Sequence, residues 1–339
     1  NDWPDLEGDP NGPGSEWNDT HFNLAMKKVR TGKAPGLNGV KAELYKYSHW
    51  AREKLRGLLR QVWKTAVFPP DMLTGVATAS FKSGNAQLWS RYRVIVVFRV
   101  EFKIFSLVLH FRIISECRKF LSDWMFAFLR GRITADVHYI ARQLYRAICL
   151  RGQQAAAVHV DYSSAFDFLS HIYVFNALKA AGASCKTRQI FKAIYLNARV
   201  VAKVGVSLSE PFSVGRGCLE GDINSPIFFN IGLEAVFREY NALLRESLAL
   251  SSDIKLCDVA YDKVVFADDV IYFAMFKWTQ TFRRISQGSN FRASKEYYRD
   301  VSVSHRMHVG FHDHGRPPSI SLDVSPYDFG SHLHAIFHS

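Results

Sequence analysis

No Cys-x-x-Cys pair occurs anywhere in the 339 residues, and the five cysteines (Cys117, Cys149, Cys185, Cys218, Cys257) are scattered and odd in number. This excludes the usual zinc-ribbon and disulfide frameworks and fits a reducing, intracellular compartment. Long hydrophobic runs are also lacking. The most apolar window, VIVVFRVEFKIFSLVLHFRII at 94–114, is broken by Arg99, Glu101, Lys103, His110 and Arg112, which argues against a membrane span. The opening residues carry no signal-peptide pattern. Acidic side chains are in deficit, 31 against 43 Lys and Arg, for a formal net charge of +12. A balance of that size favours a polyanionic partner, nucleic acid before a membrane surface.

Apolar residues, by contrast, make up 48% of the chain, enough for one large or two interleaved domains. Residues 1–18, rich in Pro, Gly and acids, read as a linker. Asp19 or Thr20 caps a helix with Phe22, Ala25, Met26 and Val29 at helical spacing, and a second helix is expected near 51–66. The stretch 74–104 alternates like strands. Helical patterns return near 134–150 and 171–181, with a short strand, AAAVHVDY, between them at 155–162. A further strand-like stretch, 199–214, leads through a Gly-rich turn into an amphipathic helix. The tail carries His305, His308, His312, His314, His332, His334 and His338 without a neighbouring cysteine, so a zinc site is the weaker reading.

The segment KVVFADDVIYFA at 263–274 places two adjacent acids between apolar arms. It reads as a hairpin with Asp268 and Asp269 at its tip. Its apolar flanks predict buried carboxylates, which are costly unless paired or bound to metal. Asp161 ends the other strand, about a hundred residues upstream. Were the two strands neighbours, the acids would share one rim and repel one another unless a hard, oxygen-seeking ion such as Mg²⁺ lay among them.

Several blocks across 33–333 resemble, in family order, reverse transcriptases, most closely those of non-LTR retrotransposons. They are KAPGLNGVKAE (33–43), FKSG (81–84), YRVI (92–95), FLRGRITAD (128–136), DYSSAFD (161–167), GCLEGDINSPIFFNIGLE (217–234), FADD (266–269), ASK (293–295) and SPYDFGSHL (325–333). The resemblance implies an α+β right-hand polymerase with an antiparallel palm sheet. It also implies an RNA template, a DNA primer and dNTPs as partners, with no membrane or protein partner. Asp161, Asp268 and Asp269 would hold two Mg²⁺ ions, with Mn²⁺ a possible substitute. Lys82 and Arg93 would grip the triphosphate, and Phe166 would gate the sugar. Gly221 and Asp222 would shape the nucleotide pocket, Lys295 would serve the pyrophosphate, and Gly330 would lie in the primer grip.

The same resemblance sets the expected organisation: a linker at 1–19, fingers at 20–152, the first catalytic palm strand at 153–170, helices at 171–212, and palm through primer grip at 213–339. The thumb is expected to be largely absent. A nuclear or cytoplasmic location is expected by family analogy alone. Departures from the pattern are Glu220 for the usual Gln beside the nucleotide, Asn38 for Asp, Val94 for Pro, and Ile223-Asn224 for Pro-Leu. They keep open a degenerate remnant that only binds RNA or RNA–DNA duplex. A group II intron maturase or a telomerase-like polymerase is a second alternative.

Overall fold

The computed structural model of the chain describes residues 3–88, 91–150, 155–162, 165–248, 254–256, 259–261, 263–275, 305–311 and 319–324. Helices α1 (Asp19–Lys28), α2 (Ala42–Tyr47) and α3 (His49–Thr65) precede strands β1 (Thr74–Phe81) and β2 (Tyr92–Val97) and helix α4 (Val100–Cys117). Then come α5 (Thr134–Leu150), β3 (Ala155–Asp161), the short α6 (Ala165–Phe168), α7 (His171–Ala180) and α8 (Cys185–Asn197). Strands β4 (Arg199–Val204), β5 (Ser207–Leu208) and β6 (Phe212–Ser213) lead into α9 (Ser225–Leu248). The last described elements are β7 (Ile254–Leu256), β8 (Val259–Tyr261), β9 (Lys263–Phe266), β10 (Asp269–Met275), β11 (His305–Phe311) and β12 (Ser319–Val324).

The chain divides into two compact units, each assembled from separated stretches. The first comprises Asn1–Phe120 and Leu169–Gly232, the second Leu121–Phe168 and Leu233–Ser339.

In the first unit a mixed sheet runs β2-β1-β4-β5, with β6 also on β4. The β1–β2 pair is antiparallel, whereas β1 and β4 are parallel from Thr74↔Arg199 to Ala77↔Ala202. Helix α3 forms because Ser48 caps it, its hydroxyl accepting from the Ala51 amide, and because Leu55, Leu59 and Val62 fall on one buried face. Helix α4 begins inside the stretch read as strand. Phe102, Ile104, Phe105, Val108, Leu109 and Ile113 are all buried, and an element covered on most sides gives no one-faced period to read.

The opening segment is not a linker. Trp3 packs edge-on against Phe175 at 5.8 Å and lies 6.1 Å from the Phe191 ring. Lys192 donates to Pro4 O at 2.9 Å, Arg188 to Glu7 O at 2.7 Å, and Trp63 Nε1 to Ser15 O at 2.8 Å. A backbone poor in apolar residues is tied down by side chains reaching to its carbonyls.

The second unit is built on an antiparallel sheet in the order β12-β11-β3-β10-β9. Phe126, Val137 and Leu144 pack with Val264 of β9 in its core. This mixed helix and sheet content agrees with the expected α+β class.

Candidate catalytic site

Strand β3, AAAVHVD, carries small and β-branched residues into the middle of its sheet, with β10 on one side and β11 on the other. The β3–β10 register pairs Val160 with Val270 and sets Asp161 directly opposite Asp269. Asp268 lies in the β9–β10 turn, where Ala267 takes a left-handed φ of 56°. The Tyr162 amide donates to Asp268 O at 3.4 Å, continuing the contact past the end of the ladder.

The apolar arms do go into the core: Val264, Val265 and Val270 are each at most 1% exposed. The acids themselves do not follow. Asp268 is half-buried and Asp269 exposed, because the turn carries them beyond the packed part of the sheet. Asp268 and Asp269 are therefore accessible, whereas the sequence alone had implied buried carboxylates.

Asp268 and Asp269 are hard oxygen donors and the ladder sets the backbone of Asp161 beside them, but among the described residues no three acids, histidines or cysteines close into a metal site. Directly opposed residues of an antiparallel pair stand about 4.5–5.5 Å apart, and like charges there are destabilising. Oxygen donors of this kind suit Mg²⁺, which keeps several waters and takes one or two carboxylates.

Phe166, on α6, is half-buried and meets Phe128 edge-on, with centroids 5.9 Å apart. Phe128 is itself in the left-handed region at φ 61°. Sequence reasoning missed the brace behind this hairpin. Phe126 N donates to Val265 O and Val265 N to Trp124 O, both at 2.9 Å, so the 124–126 segment pairs with β9. Arg132 holds that segment by donating to Asp123 O at 2.9 Å, to Asp123 Oδ1 at 2.7 Å and to Met125 O. Lys263, fully buried at the start of β9, lies 4.9 Å from the Trp124 ring and 5.4 Å from Phe237. The nearby Glu234 carboxyl accepts from the Ser122 hydroxyl at 2.7 Å and from Arg238 Nε at 2.8 Å, and burial raises its pKa.

The remaining expected residues divide between the first unit and the undescribed part. Lys82 follows β1 and donates its amide to Arg91 O at 2.8 Å; Arg93, on β2, is the register partner of Ser80. Both side chains are exposed. Glu220 is half-buried in the turn before α9. Gly221, at φ 89°, backs onto β2 so closely that a Cβ would lie 2.0 Å from Val96 O. Only glycine serves there. Lys295, Gly330 and the blocks ASK and SPYDFGSHL lie outside the described residues.

Asp222 is buried, and its Oδ1 accepts from the Ser106 hydroxyl of α4. Desolvation pushes its pKa up to about 6 against the pull of Ser106 and of the Asn224 and Ile223 amides. Its Oδ2 is buried without a hydrogen-bond partner. Two departures from the family pattern find local reasons here. Asn224 is fully buried and donates to Ser106 O at 2.9 Å and Oγ at 2.8 Å, while its own Oδ1 lies 3.2 Å from His110 Nδ1. Asn38 donates to Glu101 at 3.1 Å, where an Asp would set two carboxylates together.

The sequence pattern of the family described as "Reverse transcriptase (RNA-dependent DNA polymerase)" matches residues 82–285. A "Transposon TX1 uncharacterized 149 kDa protein" of Xenopus laevis is 24% identical over 255 residues, 75% of this chain and 19% of that protein. In Drosophila melanogaster, a "Putative 115 kDa protein in type-1 retrotransposable element R1DM" is 22% identical over 64% of this chain and 21% of its own length. The "Retrovirus-related Pol polyprotein from type-2 retrotransposable element R2DM" is 30% identical over 118 residues, 34% of this chain and 10% of that polyprotein. The chain thus spans at most 21% of the length of these relatives. An apo telomerase from Candida tropicalis, truncated from its C-terminal domain, superposes with a TM-score of 0.48 at 11% identity, covering 82% of this chain and 56% of that one. The chain belongs to the reverse transcriptase (RNA-dependent DNA polymerase) family, with its right-hand polymerase fold, and groups with the non-LTR retrotransposon members.

Proposed function

We propose that the chain is the polymerase module of a retrotransposon and copies an RNA template by adding dNTPs to a DNA primer 3′-hydroxyl. The observation that carries this reading is the Asp161↔Asp269 register beside the Asp268 turn, in a member of this family. Asp161, Asp268 and Asp269 are the residues that hold two Mg²⁺ ions, or Mn²⁺ in their place. When bound, such a pair lowers the pKa of the attacking hydroxyl and neutralises charge on the departing pyrophosphate.

The protein's own residues position and select. Lys82 and Arg93, both exposed, bind triphosphate oxygens, Arg93 through its two-pronged guanidinium. Phe166, its ring set by Phe128, occupies the space a ribose 2′-hydroxyl needs and so favours deoxynucleotides. Gly221 lets the turn close on β2, the strand that carries Arg93. Lys295 neutralises the pyrophosphate as it leaves. Rate enhancement then comes chiefly from orientation and electrostatics.

Glu220 favours a second reading, a remnant that binds template and primer without extending them. A carboxylate in the nucleotide-pocket turn repels a triphosphate. Primer extension on an RNA template with dNTPs and Mg²⁺ or Mn²⁺ separates the two. Extension that is lost in Asp268→Ala/Asp269→Ala supports the polymerase. Extension only in Glu220→Gln supports a decayed enzyme, and silence in both with duplex binding retained leaves the binding remnant.

A further inference from the structure

Leu44, Tyr47 and Trp50 lie at the corner where α2 passes into α3 and are 48%, 78% and 72% exposed. Single exposed apolar residues are ordinary, but two large rings left mostly in water at one corner mark an interaction surface. The corner is well braced. Arg52 Nε donates to Tyr45 O at 3.0 Å and its Nη2 to Lys46 O; Tyr45 OH donates to Glu101 at 2.7 Å; Ser48 caps α3. The rings are thus carried on a fixed backbone.

The charges between them are positive. Lys54 Nζ lies 5.9 Å from the Trp50 ring centre, and Lys46 directly precedes Tyr47, with Lys41 just before α2. The neighbouring acids are engaged: Glu43 accepts from the Gly32 amide at 2.6 Å, and Glu53 pairs with Arg56 at 3.1 Å. Lys41, Lys46 and Lys54 outnumber Glu43 and Glu53 here, and aromatic faces set among an excess of lysines match a ligand in which flat bases alternate with phosphates. An apolar protein partner fits less well, because interface cores exclude charge of this density.

We infer that the α2–α3 corner binds single-stranded RNA, with Tyr47 and Trp50 stacking on bases and Lys46 and Lys54 meeting phosphates. The choice of RNA over DNA rests on the RNA-templated reading above; the stacking surface does not.

The test is fluorescence anisotropy with labelled oligo(U) and oligo(dT) of equal length, using the whole chain without dNTPs. Tyr47→Ala and Trp50→Ala should each weaken oligo(U) binding about tenfold. Lys46→Ala/Lys54→Ala should flatten the log–log salt dependence by roughly 1.4. Melting temperatures should stay at the parent value, since both rings are exposed. Asp268→Ala/Asp269→Ala should bind oligo(U) as the parent does, so loss of primer extension leaves this surface intact. Ring variants that bind oligo(U) like the parent overturn the proposal. Equal, ring-dependent binding of oligo(dT) overturns the assignment to RNA. Self-association that the ring variants abolish, with oligo(U) binding unchanged, overturns it in favour of a second copy of the chain.

Discussion

Asp269 is the register partner of Asp161 across the β3–β10 ladder, while Asp268 occupies the turn one residue earlier. Two acids in directly opposed positions cost stability until a cation lies between them. A cation between them relieves that repulsion, so the protein is expected to be more stable with Mg²⁺ than without it. Mg²⁺ should raise the melting temperature of the parent and fail to raise that of Asp269→Asn or Asp161→Asn. Scanning fluorimetry with and without Mg²⁺ measures both. An equal Mg²⁺ response in all three proteins would place the ion elsewhere.

Gly221→Ala meets two penalties at once. The left-handed φ costs about 1 kcal/mol for a residue with a Cβ, and the Val96 carbonyl stands where that Cβ must go. A destabilisation of about 2–4 kcal/mol is expected by urea unfolding. Gly57→Ala provides the contrast. It is on the exposed face of α3 with nothing within 4 Å of the added carbon, and it should be neutral or stabilising.

Asp222 gives a pH dependence of unusual sign. Its folded pKa, about 6, lies above the ordinary 3.8, so folding favours the protonated carboxyl. Its contribution is complete below about pH 3.8, declines as pH rises to about 6, and is absent above that. Asp222→Asn should gain on the order of 1–3 kcal/mol over the parent at pH 8 and almost nothing at pH 4. Denaturant midpoints at the two pH values decide it; a gain that does not change with pH would remove the buried ionised carboxylate as its cause.

Removing the anchor of the opening segment should weaken the first unit. Trp3→Ala takes a ring away from Phe175 and Phe191 and is expected to cost about 2 kcal/mol. Limited proteolysis should then cut the chain ahead of α1 faster than in the parent. Unchanged cleavage would mean that the carbonyl contacts of Arg188 and Lys192 suffice to hold the segment.

The β3 and β9–β10 strands were legible because alternation and a turn signal are local, and Asp161 beside FADD followed from them. Helix α3 was legible through its one-faced leucines, although its Ser48 cap was not. The start of α4 was not, since Val100, Phe102 and Ile104, all buried, continue the apolar character of β2. The opening segment misled because Pro, Gly and acids dominate its composition, while Trp3 and Trp17 do the packing. The exposure of Asp269 escaped notice because flanking valines report on the strands, not on the turn between them. Nothing local in FLRGRITAD announces that Arg132 braces 122–125, or that Val96 O lies behind Gly221. Such contacts join residues far apart in sequence.

The parallel pairing of β1 with β4 has a consequence for biosynthesis. During translation β1 acquires β2 at once, but its other edge stays bare until Arg199–Ala202 have left the ribosome, and residues 121–168, which belong to the other unit, emerge in between. Non-local closure of this kind is slow, and an open strand edge is where nascent chains stick to one another. The pace of elongation between β2 and β4 therefore sets how long that edge is at risk, and a synonymous change that stalls the ribosome there would lower soluble yield without altering a single residue of the finished protein.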